Sequence, residues 1–225
     1  MKKISHRNEV FRQLERLYEF YLDFIKGFGL ACSPGCHTCC TVNVIATSLE
    51  LQYILDMDGA DQRLRNGLEA IKQSKRGYYK PDLTINEEAT YYLKGVSPPE
   101  GQADHVDSPC PLVDRDGLCT IYDRRPFACR SMLSKIPCHE SGHADMDPFI
   151  ITINLATYQI IEHMAKGGFY GNLWDLVRCF VKGDLEMVHT RECTGVTGFL
   201  VAPEEQRRFD AFLRRLQAHT GLKIQ

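Results

Sequence analysis

Four cysteines fall within nine residues of one another near the start of the chain: Cys32, Cys36, Cys39 and Cys40, in the run ACSPGCHTCC. The spacing is C-x3-C-x2-C-C. Free cysteine is ordinarily a small core hydrophobe, conserved or lost according to its reactivity. Thiols this dense around Pro34 and Gly35 instead suit a loop that wraps a metal ion or an iron–sulfur cluster. Adjacent Cys39 and Cys40 point apart on an extended backbone, so both rarely serve one compact site; a turn or helical conformation relaxes that constraint.

A second cysteine-rich segment, SPCPLVDRDGLCTIYDRRPFACRSM, carries Cys110, Cys119 and Cys129. Pro109 and Pro111 stiffen the backbone around Cys110, and Asp116-Gly117 is a turn signal that sends Cys119 back along the chain. Arg124, Arg125 and Arg130 crowd the same segment. Several thiolates on one cation leave excess negative charge, which guanidinium groups offset or bind; a solvated surface is the alternative for Arg124 and Arg125.

The two motifs together resemble the YkgJ-type cysteine-cluster proteins, the CxxCxxCC family, whose domain is described as zinc- or iron-chelating. The matching positions are Cys32, Cys36, Cys39 and Cys40; then Cys110-Pro111-Leu112, Gly117, Cys119, Ile121-Tyr122, Arg125-Pro126 and Cys129-Arg130. Members often carry a later C-x-G…G segment before an acidic helix start. Cys193 to Gly198, followed by Pro203-Glu204-Glu205, is similar to it, with Thr194 where proline is more usual.

The resemblance implies eight metal ligands: Cys32, Cys36, Cys39, Cys40, Cys110, Cys119, Cys129 and Cys193. Eight thiolates exceed the four of one tetrahedral zinc site. Two zinc sites, one four-cysteine iron–sulfur cluster with a zinc, or a partial set with spare thiols all fit that number. Thiolate softness admits zinc and iron–sulfur alike, and tight cysteine loops recruiting a distant fourth cysteine favour a cluster.

Other candidates read more plainly. Cys179, in the apolar run LWDLVRCFV, suits a buried core thiol. Cys138, His139 and His143 form a C-H-x3-H group able to bind metal, although loop histidines are usually solvated or structural. His37, inside the first cluster, is placed to ligate metal or to donate to a sulfur.

Three functions follow from this pattern. The first is a metal- or cluster-binding protein that stores, senses or passes on its metal, or carries electrons. The second is a cluster-dependent protein-lysine methyltransferase, since flagellin lysine N-methylase has a similar cysteine motif. The third is a radical S-adenosylmethionine enzyme, which shares the C-x3-C-x2-C spacing. Against the third stand Thr38 in place of an aromatic residue, the extra Cys40, and a loop preceded by a helical rather than a strand pattern. No phosphate loop or dinucleotide-binding glycine motif is present.

Composition bounds these readings. The 225 residues are 44% hydrophobic and 25% charged, with a net charge of -2. A nearly neutral chain offers no broad positive field for nucleic acid or an acidic membrane. No apolar run approaches the ~20 residues of a membrane span, and no apolar stretch follows the first lysines as in a secretory signal. A cytoplasmic location is expected. There, ten cysteines favour metal or redox work over disulfides, which remain the alternative for an exported chain.

The elements that must position these residues are helical. Apolar residues recur at helical spacing from Arg7 to Lys26, with Gly27 and Gly29 as the stop. Thr47 or Ser48 caps a second helix with Glu50 close behind. Helical segments are expected over Asp61 to Lys75, Asn86 to Lys94, Pro148 to Lys166, Leu173 to Val181 and Glu204 to His219, with Gly167-Gly168 and the residues to Gly171 as a stop and turn. Cys119 to Tyr122 is the best short strand, and Lys75 to Asp107 is mostly connection. The expected fold is mainly α: one domain over residues 1–225, a helical scaffold with cysteine-rich metal-binding loops at 32–40, 110–130 and 193–198, and at most a short hairpin. The expected partner is a metal ion or cluster, without nucleic acid or membrane.

Overall fold

The computed structural model describes residues 2–33, 35–74, 77–101, 108–183 and 189–224. Pro34 and, within the expected connection, residues 75–76 and 102–107 lie outside the described residues.

The chain is 54% helical, with nine helices and one small sheet among the described residues. Helix α1 (Lys2–Ile25) ends in a 3-10 turn at Gly29, whose φ of 62° supplies the left-handed stop. Strand β1 (Ile45–Thr47) runs directly into α2 (Ser48–Leu55). Thr47 caps that helix in a capping box: its hydroxyl accepts from the Glu50 backbone N–H, and Glu50 accepts from the Thr47 N–H. Helices α3 (Ala60–Ser74) and α4 (Ile85–Leu93) follow, then the short α5 (Phe127–Ser131) and α6 (Cys138–Ser141) inside the cysteine-bearing segments. Helix α7 (Pro148–Met164) starts on an Asp147 cap with proline in its first turn. Strand β2 (Phe169–Asn172), α8 (Leu173–Lys182), β3 (Thr190–Glu192) and α9 (Gln206–Thr220) complete the order.

Two hydrophobic cores result. In the first, α1 packs against α9 and α7 around Leu14, Leu17, Tyr21, Ile153, Phe209 and Phe212. In the second, α2, α3 and α8 close around Ile54, Leu64, Leu68, Trp174 and Val177. Gly67 permits the α3–α8 contact, because a Cβ there would lie 2.7 Å from a Trp174 ring atom. The segment carrying Leu112 and Ile121 packs on this second core. Among the described residues no helix is long and apolar enough to cross a membrane.

The sheet is antiparallel in the order β1-β2-β3, with Ile45 opposite Asn172 and Phe169 opposite Glu192. It exceeds the expected hairpin by one strand. Phe169 to Gly171, expected as a turn, is the central strand; only Gly167, at φ 80°, keeps the turn role. Four residues beside two glycines are too few to show an alternating pattern.

The strand expected at Cys119 to Tyr122 is also corrected. Only a single bridge, Val113 to Cys119, forms there, and Tyr122–Arg124 is a 3-10 turn. The Arg130 guanidinium gathers the carbonyls of Asp123 (2.8 Å) and Arg125 (3.0 Å), which curls the backbone away from an extended path.

Candidate metal centre

Three backbone segments bring the cysteines to one region. Cys36 N–H donates to Ser33 O and Cys40 N–H to His37 O, so the first loop is two successive tight turns. It then pairs with the second segment: Thr41 bridges Pro109, Cys110 N–H donates to Cys40 O at 2.9 Å, and Val42 N–H to Ser108 O at 2.9 Å. The pairing sets Cys40 beside Cys110. Its far end is anchored to the sheet and α8 through Asn172, whose amide donates to Val42 O, and through Leu173 N–H to Val44 O. The third segment joins upstream, where Ala31 N–H donates to Ser134 O at 2.8 Å, four residues before Cys138.

The hairpin from Cys110 to Cys119 is tied by side-chain chemistry. Asp114 accepts from the backbone N–H groups of Asp116 and Leu118, and Thr120 N–H donates to Leu112 O. Gly117 sits at the tip with φ 77°, and a Cβ there would stand 2.9 Å from His37 Nδ1. Both the conformation and the close approach require glycine. The same packing gives His37 its place, with Nδ1 3.1 Å from Gly35 O.

Cys129 is positioned by α5, and α5 by Glu50. This buried carboxylate accepts from Phe127 N–H at 2.7 Å, Tyr18 Oη at 2.8 Å and Thr47 N–H at 2.9 Å. Burial pushes its pKa up despite these donors.

The thiols fall into two overlapping sets. Burial raises the pKa of Cys32, and the nearby thiols of Cys36, Cys39 and Cys138 add to the rise. Cys40 has Cys129, Cys110 and Cys119 as thiol neighbours. Cys39 adjoins both sets, since it also bears on Cys129. The Cys39 thiol donates to Cys40, which raises the pKa of Cys39 and lowers that of Cys40. Burial pushes Cys110 up to about 11 and raises Cys119 and Cys129 as well.

Backbone hydrogen bonding from Leu112, Ile121 and Ser134 works against burial at Cys110, Cys119 and Cys32, although burial still raises all three. The first two are the same i to i+2 contact on the two arms of one hairpin, an arrangement that favours the thiolate form.

The three arginines divide. Arg125 lies over the Tyr122 ring at 3.8 Å, and its charge favours the thiolates of Cys39, Cys119 and Cys129. Its buried Nε has no hydrogen-bond partner, nor does the buried Ser108 hydroxyl two residues before Cys110. Arg124 instead stacks on Tyr53 and lies 3.4 Å from Glu15. Arg130 is buried against Tyr18 and braces the 123–125 turn.

Two fours of soft donors, N–H groups aimed at sulfur and a cation with an unused donor fit the chemistry of thiolate-bound zinc or iron. Among the described residues no three His, Cys, Asp or Glu side chains are drawn tightly enough to hold an ion. Ligation requires the thiol side chains to close further.

The remaining candidates are placed elsewhere. Cys193 is buried in the first core, where its charged neighbours are Glu162, Glu50 and Glu192 rather than thiols, and burial with these carboxylates raises its pKa. Its segment is held by Glu162, which accepts from Thr194 N–H at 2.7 Å and Asn86 N–H at 2.9 Å. Cys179 is buried on α8, near Tyr78. Of the C-H-x3-H group, Cys138 is half-buried and bears on Cys32, whereas His139 and His143 are exposed and His139 lies 3.7 Å from Glu140. Cys138 was legible as a possible ligand, but its partners were not. Glu50 announced itself only as a helix-capping residue.

A helical scaffold presenting clustered thiols on paired loops defines a cysteine-cluster protein. The family model CxxCxxCC, described as a putative zinc- or iron-chelating domain, matches residues 31–143, and the chain belongs to that family. The description supports metal binding in general. The matched span includes Cys138 and ends well before Cys179 and Cys193. No curated protein and no solved structure matches the chain.

Proposed function

We propose that this chain works as one metal-handling domain that holds zinc or iron in two four-cysteine groups. The inner group is Cys40, Cys110, Cys119 and Cys129; the outer group is Cys32, Cys36, Cys39 and Cys138. The observation that carries this reading is the backbone pairing that sets Cys40 beside Cys110, together with the Ala31 to Ser134 bond that brings the Cys138 segment to the first loop. Four thiolates are the complete shell of a tetrahedral zinc ion and the usual ligand set of an iron–sulfur cluster.

Bound metal would supply a positive centre that keeps the thiols deprotonated and ties the three segments together. The chain's own residues prepare for it. Leu112 and Ile121 N–H groups stabilise sulfur charge, Arg125 offsets part of the excess negative charge, and Glu50 fixes the helix that carries Cys129. Cys193 is left out of this ligand set, because its buried neighbours are carboxylates that oppose another anion.

Metal and acid-labile sulfide analysis of protein purified without oxygen tests the reading. Two zinc ions per chain, or iron with sulfide, are the expected results. Metal-free protein that stays folded and oxidises to defined disulfides would overturn it.

A further inference from the structure

The two thiol groups sit in unlike surroundings. Cys32, Cys36 and Cys39 are exposed, and Cys138 is half-buried at the start of the four-residue α6. All four inner thiols are half-buried, and three of them, Cys110, Cys119 and Cys129, pack against the second hydrophobic core. The inner group is built into paired backbone, a hairpin and a helix fixed by Glu50. Among the described residues, the outer group is tied by the Ala31 to Ser134 bond and by the approach of His37 to Gly117, with Lys135 N–H to Asp145 O steadying the Cys138 loop. Opening the inner group disturbs a core, whereas opening the outer one disturbs solvated loops, which rearrange at little free-energy cost.

On the reading that both groups hold metal, we infer that the outer group is an exchange port for a thiophilic divalent cation, and that the inner group retains its ion as part of the fold. The acceptor is a molecule presenting a free thiol. Its thiolate forms a new metal–sulfur bond from the solvent side as the bond to an exposed cysteine such as Cys36 breaks. The displaced Cys36 thiolate takes up the proton that the acceptor thiol released, and the metal's oxidation state does not change. Repeating the step at Cys32, Cys39 and Cys138, each time with a further acceptor thiol, completes the transfer.

The chain also makes the two groups unequal in dependence. Cys39 and Cys40 share a peptide bond, so an ion on Cys40 fixes the end of the outer loop. Loss of the inner ion weakens the outer group, while loss of the outer ion leaves the inner one in place.

The test is zinc release from the zinc-loaded full chain into excess EDTA, followed with a colorimetric zinc indicator. Two equivalents should leave in two phases, the fast one at least about tenfold faster than the slow one. The double variant Cys32→Ser/Cys138→Ser should lose the fast phase and keep the slow equivalent. This variant leaves the core-packed group intact, so it serves even where Cys110→Ser/Cys129→Ser does not fold. Release of both equivalents in one phase, or a fast phase that survives Cys32→Ser/Cys138→Ser, overturns the port. A single slow equivalent, in wild type and variant alike, overturns the port and leaves metal binding standing. A wild-type chain that takes up no zinc overturns the port, and absence of iron as well removes the metal reading with it.

Discussion

Two regions of this molecule are braced alike and differ in charge environment. Each is a cysteine segment tied down by a buried glutamate on a neighbouring helix. Glu50 holds Phe127 and with it Cys129; Glu162 holds Thr194 beside Cys193. Around Cys129 lie other thiols and Arg125, whereas around Cys193 lie three carboxylates. Burial raises the pKa of both thiols; the Arg125 charge opposes the rise at Cys129, whereas the carboxylates add to it at Cys193. The same bracing device therefore supports a proposed ligand in one region and, in the other, a thiol outside the proposed ligand set.

The comparison breaks most visibly at Cys129. Cys129→Ser should remove the inner metal and, with it, about 3 kcal/mol or more of folding free energy, since binding and folding share one free energy. Chemical denaturation with and without added zinc measures this loss; equal stability of variant and wild type in zinc would place Cys129 outside the site.

The two glutamates sharpen the contrast. Glu50→Ala leaves the Phe127 and Thr47 N–H groups and the Tyr18 hydroxyl without their acceptor, a cost of about 3 kcal/mol. Glu162→Ala orphans the Asn86 and Thr194 N–H groups, and costs about 2 kcal/mol. Metal retention should fall in the first variant and hold in the second. Parallel melts and metal assays distinguish the two, and equal metal loss in both would erase the distinction.

A smaller effect is expected at the hairpin tip. Gly117→Ala forces a Cβ into a left-handed conformation and against His37, at a cost of about 1–2 kcal/mol. The contact it disturbs joins the two cysteine segments, so metal affinity should weaken together with stability in the same titration.

Proton competition gives the gentlest lever. Cys110 is pushed up to about 11, and burial also raises Cys119 and Cys129, so near neutral pH these thiols carry protons that an incoming metal must displace. Affinity should rise with pH and fall with acid, by about tenfold per pH unit for each proton released. A pH-independent affinity measured by competition with a chelator would show that these protons are not lost on binding.

Much of this architecture was legible in the residues. Strong 3.6-residue periodicity and capping chemistry marked α1, α2, α7 and α9, and local cysteine density marked the first loop. Short elements escaped, because β2 has four residues and α6 has four, too few for any period to register. The grouping of thiols escaped for another reason. Spacing shows that Cys39 and Cys40 are neighbours, but their proposed assignment to different groups rests on the Cys40–Cys110 pairing and the Ala31–Ser134 tie, contacts between segments 70 and 103 residues apart in sequence. Family resemblance pointed to Cys193 as the eighth thiol; the proposed grouping puts Cys138 in that company instead.

Metal content of Cys138→Ser and Cys193→Ser, measured side by side with wild type, tests the two-group assignment most directly. Cys193→Ser should keep both equivalents, and Cys138→Ser should lose about one of the two. Full metal in Cys138→Ser with a deficit in Cys193→Ser would contradict it.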